Sequence, residues 1–511
     1  MLSGNRRLRR ASSTLPVRAA AALSMAGILW CSLAPAPLRG MQERNPADIG
    51  QAVDSTAGFR VPEPPARYDT DLLSPAFHAD RRARVLEALP DDAVAVLFGA
   101  PTRTRSRDIA FPYRQDSNLY YLTGFTEPGA ALLLVPGGVS VDGRMVREVL
   151  FVPPRDPSAE TWTGRRMGAE RAARILEIDG AVENTRFQEV AGPVLADPAR
   201  RVFRLPLPRG VPRGEALAAQ IEVFRRAVLE SKEDSAIVDS SPDTRVLPWI
   251  LAGLRQIKTK EELKLLRRAV DITGEAHRAV MAQVEPGWTE YRIEALVEST
   301  FASQGAEAPG FPSIVGSGEN STILHYESNR RRTRDGDLVL IDVGAEYHGY
   351  SADLTRTIPV NGRFSTEQRA IYSLVLEAQE AGIAAARAGR PFTAVGDAAT
   401  EVLLDGMAEL GLIGGEDDRA GLRRFFMHGT SHFLGLDVHD VGTYGTLRPG
   451  MVITVEPGIY IRPAEDIDRR WWNIGVRIED DVLIGEEGPV LLSGAAPRNP
   501  DAIEALMESG G

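Results

Sequence analysis

Leu338-Val339-Leu340-Ile341-Asp342-Val343-Gly344 is the stretch on which the fold turns. Its apolar run, closed by glycine, predicts a strand buried on both faces. A carboxylate inside such a strand costs several kcal/mol unless it is paired or neutralised, so Asp342 demands a partner. A turn at His348-Gly349-Tyr350 leads into a second apolar strand, Ala352 to Val360, with Asp353 near its start. A hairpin brings both carboxylates to the same end of a sheet. Either alone is ordinarily a strand-end turn residue or a hydrogen-bonded structural group.

Three later segments change that reading. Met427 to Asp440, MHGTSHFLGLDVHD, places His428, His432 and His439, three of the chain's seven histidines, among glycines and apolar residues. Imidazole serves both metal ligation and proton transfer near neutral pH. Met451 to Tyr460 is an apolar strand that ends on Glu456 and is terminated by Pro457-Gly458. In Asn473 to Asp481, period-2 alternation puts Arg477 and Glu479 on one face and Val476 and Ile478 on the other. An arginine beside a buried carboxylate favours the ionised form. Four carboxylates and one histidine, Asp342, Asp353, Glu456, Glu479 and His432, suit hard or borderline divalent ions such as manganese, cobalt or zinc. Four are too many for one catalytic zinc. They suit two ions ~3.5–4 Å apart, which can hold a hydroxide between them and polarise a carbonyl.

Around these segments the chain reads as two α/β domains. A helix over 78–89, strands at 93–98, 130–135 and 148–152, and a helix over 169–178 form an N-terminal domain spanning 77–253. A boundary near 250–258 precedes a long helical stretch from Ile257 to Val284. Strand pairs then alternate with helices at about 287–303, 365–388 and 393–411, which suggests a duplicated unit over 254–496. Ser365 with Gln368 three residues on makes a capping box for the helix at 365. Residues 41–76 read as a loose, proline-rich lead-in and 497–511 as a C-terminal tail.

Residues 1–40 carry six arginines and no acidic residue; the remainder holds 53 basic against 70 acidic residues, a net of about −17. That balance argues against a nucleic-acid surface. The order of the first 40 residues, basic, then apolar from Ala19 to about Ala34, then small, is that of an export signal, periplasmic or secretory. An organellar transit peptide or a cytoplasmic location are the alternatives. The apolar run is short for a bilayer span, and no later stretch is long enough. Cys31, the single cysteine, lies inside this segment, so its removal leaves no thiol chemistry. The four lysines, Lys232, Lys258, Lys260 and Lys264, leave none beyond residue 264 for a Schiff-base or lysine-base mechanism.

Together these segments closely resemble the pita-bread metallopeptidases, and within them the aminopeptidase P (Xaa-Pro aminopeptidase) branch. Ile323-Leu324-His325-Tyr326, the Asp-Val-Gly strand, MHGTSHFLGLDVHDVG, TVEPGIY and GVRIEDD carry the resemblance. Tyr113 to Asn118 and Tyr120 to Phe125 look like that family's creatinase-like N-terminal domain. The resemblance covers about residues 80–495 and implies hydrolysis of the bond preceding proline at a peptide's N-terminus. It implies that Asp342 chelates one metal, Asp353 and Glu479 bridge both, and His432 and Glu456 complete the second. A bridging hydroxide would attack the carbonyl, with Glu456 the candidate proton acceptor. His325 and His439 would bind the peptide and stabilise the tetrahedral intermediate. His428 would line the proline pocket, Arg477 would hold the carboxylate cluster, and Tyr460 would contact the site from behind, the last two counted with the histidines as substrate-binding residues. Manganese is the expected metal, with cobalt or zinc alternatives, and a homo-oligomer, dimer or tetramer, is implied. Prolidase, which splits Xaa-Pro dipeptides, shares most of these motifs. The approach Trp471-Trp472-Asn473-Ile474-Gly475 to Arg477 looks more like aminopeptidase P.

Overall fold

The computed structural model describes residues 69–230 and 241–510. The expected targeting segment, 1–40, and the lead-in up to residue 68 lie outside the described residues. In the N-terminal half, β1 (Ala93–Phe98), β2 (Ala131–Val141), β3 (Arg144–Val152), β4 (Gly180–Glu183) and β5 (Arg201–Arg204) form a mixed sheet ordered β4-β3-β2-β1-β5. β1 is antiparallel to β2 and parallel to β5. Ala93, Ala95 and Leu97 enter one core while Val94, Val96 and Phe98 enter another. Both faces are therefore covered, which is why the strand needs no polar side.

Helix α1 (Pro75–Ala88) starts where the Ser74 hydroxyl accepts from the Phe77 N–H, with proline in its first turn. The described end of the lead-in is not loose. Asp71 accepts from the Tyr347 hydroxyl at 2.8 Å and pairs with His348 Nε2 at 2.9 Å. Helix α2 (Ser117–Thr123) is capped by Asp116. The expected boundary at 253/254 falls inside helix α3 (Val246–Arg255), whose Leu247, Ile250 and Leu251 pack into the N-terminal core. Apolar packing carries that helix past the sequence boundary. Helix α4 (Lys260–Gln283) begins only after a Thr259–Glu262 capping box, three residues later than the periodicity suggests.

In the C-terminal half, α4 and α5 (Glu290–Ser303) are followed by β6 (Ile314–Ser317), β7 (Leu338–Val343) and β8 (Leu354–Pro359), paired antiparallel in the order β8-β7-β6. Helix α6 (Thr366–Ala385), opened by the Ser365–Gln368 capping box, and α7 (Thr393–Glu409) repeat the helix pair. A second strand set follows: β9 (Val452–Val455), β10 (Gly458–Ile461), β11 (Ile474–Arg477) and β12 (Asp480–Ile484). The expected C-terminal tail contains helix α8 (Pro500–Gly510), which contacts α4 and buries Ile503 and Met507 in the main core. Its apolar residues, four apart, need that core. No helix among the described residues is long and apolar enough to cross a membrane.

Candidate active site

The second strand set is broken at matching points. β9 pairs with β12 and β10 with β11, so Val455 faces Asp480 and Gly458 faces Arg477. Between these registers Glu456-Pro457 lies opposite Ile478-Glu479. Proline cannot donate to the ladder, which explains the break on one side. Gly458 has no room for a side chain, because an added Cβ would lie 2.6 Å from the Tyr460 hydroxyl. The single strand expected over Asn473 to Asp481 is thus two strands, with Glu479 at the gap, bridged to Thr355. In the first set, Asp342 pairs in register with Thr355, and Asp353 sits just before β8. Gly344 lets the chain fold back there: an added Cβ would lie 1.8 Å from the Ala352 carbonyl oxygen. Asp353, Glu456 and Glu479 thus lie just outside the strands, Asp342 lies one residue from the end of β7, and all four line common space.

That space is a cavity of about 480 Å³ lined by Asp342, Asp353, Glu456, Glu479, His325, His428, His432, His439 and Arg477. Nine of the ten residues singled out in the sequence line it, and Tyr460 stands directly behind. Ligand atoms of Asp353, His432 and Glu479 lie within 4.8 Å of one another. His432 Nε2 is 3.4 Å from Asp353 Oδ2 and 3.6 Å from Glu456 Oε1. Its Nδ1 lies 3.0 Å from the Phe433 carbonyl oxygen, which can only accept, so Nδ1 carries the hydrogen. In the neutral ring the Nε2 lone pair then faces two carboxylates, an arrangement that suits a cation between them.

The carboxylates carry the same message. Burial, then repulsion from Asp342, Asp481 and Glu456, holds Asp353 well above the usual carboxylate range. Burial, then Asp353, Glu456 and Asp342, does the same to Glu479 despite Arg477. Burial lifts Glu456 to about 7 against the pull of His432 and Arg477. Asp342 Oδ1 and Glu479 Oε1 are buried without a hydrogen-bond partner. Buried orphan oxygens are rare in native proteins, and positive charge in the cavity would satisfy them. The residues present fit divalent metal.

Arg477 organises the wall. It pairs with Asp342 and donates to the Thr355 hydroxyl at 3.2 Å and to the Tyr460 hydroxyl at 2.9 Å. Tyr460 in turn donates to His428 Nε2 at 2.7 Å, because His428 Nδ1 is spent on the Gly429 carbonyl. Burial, then Arg477, lowers His428 to about 4, so a neutral ring flanks the cavity. Burial lowers His439 as well, followed by the neighbouring His432.

The sequence reading missed the supports. Thr355 donates to Glu479 Oε2 at 2.7 Å. Arg356, wholly buried, donates to the Thr355 and Glu479 carbonyls at 2.9 and 2.7 Å and pairs with buried Asp480 at 2.7 Å. Asp481 accepts from the Asp353 N–H at 3.2 Å. Three consecutive acidic residues in an otherwise apolar segment, Glu479 to Asp481, were the available signal.

The model of metallopeptidase family M24 matches residues 264–486, and that of the aminopeptidase P N-terminal domain matches residues 78–203. The Xaa-Pro aminopeptidase of Escherichia coli K12 is 39% identical over 84% of this chain and 96% of its own length. The mouse Xaa-Pro aminopeptidase 3 is 32% identical over 81% of each. Among solved structures, Pseudomonas aeruginosa aminopeptidase PepP superposes with a TM-score of 0.78 at 36% identity, covering 86% of this chain and all but 1% of that one (99%). E. coli aminopeptidase P with the inhibitor Pro-Leu gives 0.76 at 38%. The helix pairs and broken strand sets around the cavity are the pita-bread fold. The chain belongs to metallopeptidase family M24, in the branch that carries an aminopeptidase P N-terminal domain.

Proposed function

We propose that the protein is a metal-dependent Xaa-Pro aminopeptidase that releases the residue preceding proline from peptide N-termini. The convergence of Asp353, His432 and Glu479, flanked by Asp342 and Glu456, in a cavity that also holds three other histidines carries this reading. Relatives named Xaa-Pro aminopeptidase, aligned over most of the chain, support it. The five residues would hold two divalent ions, manganese in the native enzyme, which supply Lewis acidity at the scissile carbonyl and activate water. A zinc-substituted E. coli relative is known, so zinc is a workable substitute to test.

The chain's own groups supply the rest. Glu456, at the cavity wall, would take the proton of the attacking water and return it to the proline nitrogen. His325 and His439 would orient the peptide and donate to the developing oxyanion. His428, its nitrogens spent on Gly429 and Tyr460, would present its carbon edge to the proline ring. Arg477 would fix Asp342 at the cavity wall.

A chelated protein should be inactive, and added manganese should restore release of Xaa from Xaa-Pro-Yaa. If tripeptides stay intact while Xaa-Pro dipeptides are split, the enzyme is a prolidase. The basic, apolar, small order of residues 1–40 supports export; an intact N-terminus in a cytosolic fraction would count against it. The same reading expects a homo-oligomer, which light scattering tests.

A further inference from the structure

The turn that carries His439 is gripped from the N-terminal side of the molecule. Asp437 and Asp440 flank His439, and all four of their carboxylate oxygens are taken. Arg255, 1% exposed at the end of α3, donates through Nη2 to Asp437 at 2.7 Å and also to Asp440. Its Nη1 reaches Asn118 of α2 at 2.9 Å. Ser117 donates to the other Asp437 oxygen at 2.7 Å, and Lys258 to the other Asp440 oxygen at 2.8 Å. Lys258 also donates to the Arg255 carbonyl at 2.6 Å. Next in the chain, Gln256 accepts from the Thr443 N–H and hydroxyl at 3.1 and 3.0 Å. Arg114 bonds the Leu436 carbonyl. Gly435 makes room for this packing, since an added Cβ would lie 2.1 Å from Asp440 Oδ2. The ring of His439 then rests edge-on against His432, centroids 4.3 Å apart.

A buried guanidinium shared between two carboxylates contributes little net stability, because desolvation offsets attraction, but it fixes register. Arg114, Ser117 and Asn118 belong to the N-terminal half, and Arg255 to Lys258 form the junction. We infer that Arg255 is a positioning residue for His439, so that the N-terminal half sets the placement of a group in the peptide cleft. The inference rests on the Xaa-Pro aminopeptidase reading. The turn cannot slide without leaving the buried Arg255 charge unpaired. A displacement of the order of 1 Å at such a group costs up to about 100-fold in rate.

The test is a double-mutant cycle on the metal-loaded full chain. Arg255→Lys keeps the charge and loses the fork; Asp437→Asn changes a part-exposed partner and spares folding. Each should lower kcat about 10- to 100-fold, leave KM within about 3-fold and keep metal content at the wild-type level. On a His439→Ala background each should cost less than about 2-fold. In histidine-labelled protein loaded with diamagnetic zinc, the His439 ring resonance, assigned by its absence from His439→Ala, should shift in both variants while that of His277 does not. Equal losses in both backgrounds, metal loss that parallels the fall in kcat, or an unmoved His439 resonance would overturn the inference. A wild-type protein that cleaves no Xaa-Pro bond would overturn the function reading instead, and the ring resonance would still decide the placement.

Discussion

Strand β1, Ala93–Phe98, and strand β7, Leu338–Val343, are each six residues long and buried at every position, yet only β7 carries a charge. β1 lies between two apolar clusters and answers to packing alone. β7 can hold Asp342 because Arg477 reaches it from β11. In the N-terminal sheet β2 pairs with β3 over Ala131 to Leu134 against Phe151 to Glu148 and again, past a bulge, over Val139 to Val141 against Val146 to Arg144. The second strand set around the cavity is interrupted at Glu456-Pro457 and at Ile478-Glu479. Apolar clusters on both faces of a strand mark a region selected for stability. Buried carboxylates that repel one another around a cavity, as Asp353 and Glu479 do, mark one where stability has been given up for chemistry.

Paired substitutions test that contrast. Asp353→Asn removes a charge disfavoured by burial and by three neighbouring carboxylates. It should cut kcat more than about 100-fold, beyond what outer partners of metal ligands give. The thermal midpoint of the chelated variant should match or exceed that of the chelated wild type. Leu132→Ala in β2, fully buried between Leu97 and Leu150, should do the reverse. It should cost about 2–5 kcal/mol and leave kcat near the wild-type value at 25 °C. Activity assays and thermal unfolding decide both. A chelated Asp353→Asn protein that melts as early as Leu132→Ala would remove the distinction.

How much of this was legible follows from the same contrast. Asp342, Asp353, Glu456 and Glu479 stand out in sequence because each interrupts or ends an apolar run, and His432 because glycines surround it. β1 was legible to the residue, since Pro90 and Gly99 bound an unbroken apolar stretch. The break at Ile478 was not, because alternation runs smoothly through Val476 to Asp480 and only the opposed Pro457 interrupts it. Arg356 and Asp480 are separated by 124 residues and meet only in the fold. Arg255 falls in the boundary stretch near 250–258, and its partners Asp437 and Asp440 lie 182 and 185 residues further on. Periodicity reports which face is buried; it carries no information about which distant charge shares that burial.

A smaller, pH-dependent effect sharpens the comparison. His277 on α4 is buried behind β8, with Nε2 donating to the Leu354 carbonyl at 3.2 Å and Nδ1 without a partner. Burial, then the nearby Arg356 charge, lowers it to about 3. The unfolded chain takes up this proton as pH falls through about 6.5, the ordinary histidine value, while the folded chain refuses it until about 3. The folded state is therefore progressively disfavoured between those values, and the full contribution is present only above about 6.5. At pH 5 the loss amounts to about 2 kcal/mol. His277→Gln keeps a donor for Leu354 and cannot protonate. In chelated protein, the drop in thermal midpoint between pH 7.5 and pH 5 should be smaller in the variant than in wild type. Equal drops would mean that His277 is not held neutral and that acid sensitivity in this half arises elsewhere. The Leu132→Ala protein, altered in the apolar sheet, should show the wild-type drop from a lower starting point.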